Sequence, residues 1–170
     1  MERGWSRPDE FKEIVEIGAI RVDPLSLDEL DALTIFAKPE KNPALSEYFI
    51  QLTGITQKEV DEKGMSFAEA IAEFAAWAGN CDLYSYGRDD DVLAKNSQFA
   101  GIVLPIKQSR FKNIKEIFEA HGIPVENYMS STIVRAFGKE PERRGHEAVN
   151  DARTILDGLR ELSKRINVSP

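Results

Sequence analysis

The chain has 170 residues, 42% hydrophobic and 30% charged, with a formal net charge of −7. That length and mix can build one packed core, burying roughly two-thirds of the surface the unfolded chain exposes, and they exclude a disordered or low-complexity segment as the whole. The negative charge excludes long-range attraction to a phosphate backbone as the main source of binding, although divalent cations can bridge acidic side chains to phosphate. The lone cysteine, Cys81, excludes an internal disulfide and a Cys/His zinc cluster. No apolar run approaches about 18 residues, so no membrane helix is expected. Met1 to Trp5 contain no apolar signal core. The expected setting is therefore reducing and cytoplasmic, and the sequence assigns no oligomeric state.

The first eleven residues are polar and read as a loop around Pro8. From Glu13 to Asp23 the β-formers Ile14, Val15, Ile17, Ile20 and Val22 predict a strand, which Asp23-Pro24 ends. Leu30 to Ala37 predict a second strand stopping before Pro39, and this spacing predicts an antiparallel hairpin. Ser46 to Leu52 predict a helix ended by Gly54. Thr56-x-x-Glu59 and Ser66-x-x-Glu69 are capping boxes, each placing a hydroxyl and a carboxylate on the free N–H groups of a helix start. After the second box Phe67, Ile71, Phe74, Ala75 and Ala78 repeat at helical spacing up to Gly79, with Phe74 and Trp77 assigned to the core. Leu83 to Tyr86 predict a short strand, and Asp90 to Phe99 a helix. Phe111 to His121 predict another helix, with Ile114, Ile117 and Phe118 facing inward. Thr132 to Phe137 predict a short helix. The last helix spans about Ala148 to Arg165, with Ala148, Ala152, Ile155, Leu156, Leu159 and Leu162 on its buried stripe. Arg153, Thr154, Asp157, Arg160 and Lys164 take its open face. This order is that of an α/β or α+β domain.

Two segments carry candidate chemistry. The first is His146-Glu147-Ala148-Val149-Asn150-Asp151, of the form His-x-Ala-x-x-Asp at the head of an amphipathic helix. Five residues along a helix are turned by about 140° from a shared face, so both side chains reach one site only if His146 lies in the preceding loop. A movable histidine beside a carboxylate fixed on a helix suits a general base next to a metal ligand. A capping histidine and a solvated aspartate account for the same letters. The second segment is Tyr84-Ser85-Tyr86-Gly87-Arg88-Asp89-Asp90-Asp91-Val92-Leu93, a short strand running through glycine into acids. Acids at the first turn of any helix explain it equally. Lys107, Arg110, Lys112 and Lys115 read as a solvated face rather than a phosphate contact.

Taken together and in order, these segments resemble the DnaQ-like 3′–5′ exonucleases of the DEDDh type. His-x-Ala-x-x-Asp resembles their third motif and the strand-Gly-x-Asp segment their second. Ile14-Val15-Glu16-Ile17-Gly18-Ala19 resembles the strand following the first motif, and Leu52-Thr53-Gly54-Ile55-Thr56 resembles a recurrent "LTGIT" segment. Trp5-Ser6-Arg7-Pro8 and Glu10 to Ile14 are similar to the subgroup containing the 3′ histone mRNA exonuclease. The overlap spans about residues 5 to 160.

The resemblance implies an RNase H-like α/β fold, a mixed sheet flanked by helices. It implies two-metal hydrolysis at nucleic-acid 3′ ends, on RNA or single-stranded DNA, releasing nucleoside monophosphates. Asp89 and Asp151 are implied as ligands of Mg²⁺ or Mn²⁺, with Asp90 as the fallback for Asp89, and His146 as general base. The family's first motif, Asp-x-Glu on the central strand, is missing; Asp9, Glu10 and Glu13 fall in the loop after that strand. The expectation is therefore a single domain, residues 1–170, N-terminally incomplete and lacking its first, central strand. The alternative is a degenerate member that binds nucleic acid or a protein without cutting.

Overall fold

The computed structural model describes residues 11–168, leaving Trp5 to Glu10 of the resemblance outside the described residues. Two strands, β1 (Glu16–Val22) and β2 (Glu29–Phe36), form the expected antiparallel hairpin, with Glu16 opposite Phe36. Its turn is held by Asp23, whose carboxylate accepts the N–H groups of Leu25 and Ser26. Three helices follow: α1 (Glu47–Thr53), α2 (Gln57–Lys63) and α3 (Phe67–Ala78). Ser46 caps α1 and Gly54 ends it at φ +80°, while both capping boxes form as read.

The short strand β3 (Leu83–Ser85) leads into α4 (Asp89–Phe99). β3 then pairs in parallel with β4 (Phe111–Asn113), Leu83 opposite Phe111. The helix expected over Phe111–His121 is thus two elements, β4 and α5 (Lys115–Ala120). Pairing with β3 holds Phe111 to Asn113 extended, and Asn113 then accepts the N–H of Lys115 to start the helix. Ile117, expected inside, is exposed, whereas Ile114 and Phe118 are buried. A 3₁₀ helix (Ser130–Phe137) and the long α6 (Ala148–Val168) complete the order. On α6 the expected stripe holds at Leu156 and Leu162, but Thr154 is buried as well. Its hydroxyl donates to Asn150 O, which satisfies the polar group inside.

The two sheets stay separate, and among the described residues no strand joins them. They nevertheless share one core, in which Ile17, Ile35, Leu83 and Phe111 meet Ile71 and Phe74 of α3 and Leu93 of α4. A second cluster, Ile114, Phe118, Ile123, Ile133 and Leu162, sits between α5, the 3₁₀ helix and α6. Each fully buried side chain of that size contributes about 1.5–3 kcal/mol. Glu13 braces the loop after β2, where its carboxylate accepts the N–H groups of Glu40, Lys41 and Asn42.

Candidate active site

The loop before α6 turns sharply. Gly145 packs so close to Ser131 that a Cβ on it would lie 2.7 Å from the serine Cβ. His146 follows in the left-handed region at φ +67°, a conformation that L side chains rarely adopt. The first intrahelical bond runs from Asp151 N to Glu147 O, so His146 lies in the loop and Asp151 in the first turn of α6.

The aspartate reaches back to the histidine. Its Oδ1 accepts the backbone N–H of His146 at 3.0 Å, and its Oδ2 accepts the hydroxyl of Ser130 at 3.1 Å. Burial pushes the Asp151 carboxyl above its ordinary value, opposed by these two donors and by the nearby His146 and aided by Glu147. Each oxygen accepts one hydrogen bond from these groups and keeps further lone-pair capacity.

Two more contacts seat this turn. Glu16 of β1 accepts the N–H of Ala148, and burial first, then Glu147, Asp151 and Glu59, push its carboxyl up against the lowering effect of that N–H. Arg144 donates to Gln51 O at 3.1 Å, its guanidinium lying 2.6 Å from where a Cβ on Gly54 would stand. The "LTGIT" segment is thereby tied to the loop that carries His146. Beside the turn runs a groove of about 340 Å³ lined by Glu16, Thr53, Gly54, Ile55, Glu147 and Asn150 among others.

Asp89 begins α4, just after Gly87, whose φ is +132°. Its surface is exposed, yet protein surrounds it at longer range. That loss of distant water raises its carboxyl, with repulsion from Asp90 adding to the effect. Direct exposure governs access, so Asp89 is open to a ligand. It accepts no hydrogen bond from the described residues. Asp90, in contrast, is held by Arg88 at 3.0 Å and by Gln108 at 3.2 Å, and these partners lower its carboxyl.

The structure therefore brings His146 and Asp151 together. The charge acting on Asp89 is that of Asp90, whereas His146 and Glu147 act on Asp151, which in turn acts on Glu16. Carboxylate oxygens are donors that Mg²⁺ or Mn²⁺ prefers, so Asp89 and Asp151 suit a divalent cation in kind. Among the described residues no group of three or more His, Cys, Asp or Glu side chains is arranged to hold an ion, so they do not complete a two-ion centre. Ser130 and Glu16 join the site without belonging to either segment that carries candidate chemistry in the sequence. Nothing marks Ser130 in the sequence. Glu16 could have been noticed as an acid between two strand-forming residues, facing away from their core side.

A family model described as Exonuclease, of the RNase T type, matches residues 6–159. The 3′–5′ exoribonuclease 1 of Rattus norvegicus is 26% identical over 160 residues, which make up 87% of this chain and 46% of the relative. The chain thus spans about half the length of this mammalian relative. The probable 3′–5′ exonuclease KapD of Bacillus subtilis is 26% identical over 162 residues, 88% of this chain and 73% of that protein. Among solved structures, the nuclease domain of 3′hExo, a DEDDh family member bound to rAMP, superposes with a TM-score of 0.83 at 23% identity, covering 95% of this chain and 86% of that one. A structure described as 3′-end-specific recognition of histone mRNA stem-loop by 3′-exonuclease gives 0.82 at 20% identity, over 95% and 77%. At these identities the likeness is one of fold.

Proposed function

Since the chain belongs to the RNase T family of exonucleases, we propose that it acts at the 3′ ends of nucleic acid, hydrolysing the terminal phosphodiester of RNA or single-stranded DNA. The observation that carries this reading is the hydrogen bond joining the loop of His146 to the helix of Asp151. In the reaction, water attacks phosphorus and His146 takes its proton. The bond from phosphorus to the 3′ oxygen of the preceding nucleotide breaks, that oxygen is protonated, and a nucleoside monophosphate leaves. Asp151 and Asp89 are the proposed ligands for a divalent cation, Mg²⁺ or Mn²⁺, which would stabilise charge on the phosphate oxygens when bound. The groove beside Glu147 falls within the range of small-ligand sites, about 300–1,000 Å³, and is the proposed seat of the terminal nucleotide. The exposed thiol of Cys81 suits a reducing cytoplasm, and among the described residues no helix is long and apolar enough to cross a membrane.

One observation favours a second reading, binding without cutting: the described residues hold no cluster of three potential metal ligands. The two readings separate with 5′-labelled RNA and DNA oligonucleotides in Mn²⁺ or EDTA. Hydrolysis yields products shortened stepwise from the 3′ end, only with the metal. A gel shift without shortening supports the second reading and refutes the first. The ratio of RNA to DNA shortening identifies the substrate.

A further inference from the structure

Glu16 stands at the head of β1, and its neighbours Val15 and Ile17 are buried while Glu16 and Gly18 take the opposite face. Both meet the first turn of α6. Glu16 Oε2 accepts the N–H of Ala148 at 3.1 Å. That amide opens the helix and has no acceptor within it. A carboxylate there also faces the positive end of the helix dipole. Two positions on, a Cβ on Gly18 would lie 2.5 Å from Ala148 Cβ and 2.6 Å from Val149 N, so strand backbone and helix turn abut directly. The turn so held is the one whose Asp151 accepts the His146 N–H.

We propose that Glu16 is a positioning residue: by holding the Ala148 amide it fixes the first turn of α6, and through it the aim of the Asp151 carboxylate and the left-handed backbone of His146. It acts through α6: Glu16 lines the groove proposed for the terminal nucleotide, but its Oε2 is turned to the Ala148 amide. Its functional consequence rests on the reading of His146 and Asp151 as the hydrolytic pair. A cap that merely added stability would leave the His146–Asp151 bond and the chemical step unchanged once the protein is folded.

Amide hydrogen exchange on the whole chain tests the geometry without reference to activity. In the parent, the Ala148 amide is protected although it is a first-turn amide; exchange at the unstructured rate overturns the proposal whatever the variants do. In Glu16→Ala the Ala148 and His146 amides exchange at least about tenfold faster, while core amides of α3 stay protected. Glu16→Gln, which retains an acceptor oxygen, restores the protection. A folded Glu16→Ala protein with unchanged His146 exchange overturns the proposal. In turnover, Glu16→Ala lowers kcat by about tenfold to a hundredfold with KM nearly constant, and Glu16→Gln recovers most of it. A parent that shortens no oligonucleotide in Mn²⁺ refutes the hydrolytic reading alone, and the exchange data still decide whether Glu16 positions the turn.

Discussion

Asp151 Oδ1 accepts the backbone N–H of His146 at 3.0 Å. The carboxylate on the helix thereby stabilises the loop conformation that presents the histidine. The φ of +67° at His146 costs about 1–3 kcal/mol for a non-glycine residue, and this bond, with that of Ser130 to Asp151, offsets part of it. Strain of this kind at a candidate site is a reason to test the residue that bears it.

His146→Gly and His146→Ala separate conformation from chemistry. Both remove the imidazole, and each lowers turnover by about 10²–10⁴-fold if His146 is the general base. Glycine adopts the left-handed backbone freely, so His146→Gly melts at higher urea than His146→Ala, by up to about 1 kcal/mol. Parent-like turnover in His146→Ala removes the histidine from the mechanism.

Asp89 and Asp90 are distinguished by their partners. Asp90 is occupied by Arg88 and Gln108, and Asp89 is open. Asp89→Asn therefore abolishes Mn²⁺-dependent shortening, whereas Asp90→Asn leaves most of it. In a thermal-shift scan Mn²⁺ stabilises the parent, by about 2.7 kcal/mol at a hundred times its Kd, and not Asp151→Asn. Greater loss in Asp90→Asn than in Asp89→Asn reverses the assignment.

The pair Glu29–Arg153 ties β2 to α6 with two guanidinium nitrogens, at 2.7 and 3.0 Å. Arg153 holds the Glu29 carboxyl below its ordinary value of 4.5. A carboxyl lowered in the folded state contributes stability above its unfolded value and loses it as pH falls through the folded one. Glu29→Gln accordingly costs up to about 1 kcal/mol at pH 7, and the difference from the parent vanishes below the ordinary glutamate range. Denaturant midpoints from pH 7 to pH 3 measure it; a gap that persists or widens in acid contradicts the ion pair as its cause.

Gly18→Ala places a methyl against Ala148 Cβ and the backbone of Val149, atoms that cannot swing aside. Overpacking of this kind costs about 1–3 kcal/mol, and α6 shifts outward from β1. Urea melts give the cost, and the amide shifts of Ala148 and Asp151 give the displacement. Full stability in Gly18→Ala contradicts the close approach.

The sequence alone determined what is local. The two capping boxes and the Gly54 stop act over three or four residues, and each forms as read. The angle between His146 and Asp151 set the condition for a shared site, a histidine in the loop before the helix, and the α/β order was legible from strand and helix periodicity; the structure meets that condition. Tertiary structure decided the rest. β4 is extended only because β3 lies beside it, 28 positions away in the chain, where the same letters alone suit a helix. Thr154 reads as polar surface until the 3₁₀ helix and α6 pack together, and then its hydroxyl turns to its own backbone. Ser130 meets Asp151 from 21 positions away and Glu16 meets Ala148 from 132. No periodicity encodes such contacts, because they exist only once the hydrophobic core has brought distant backbone together.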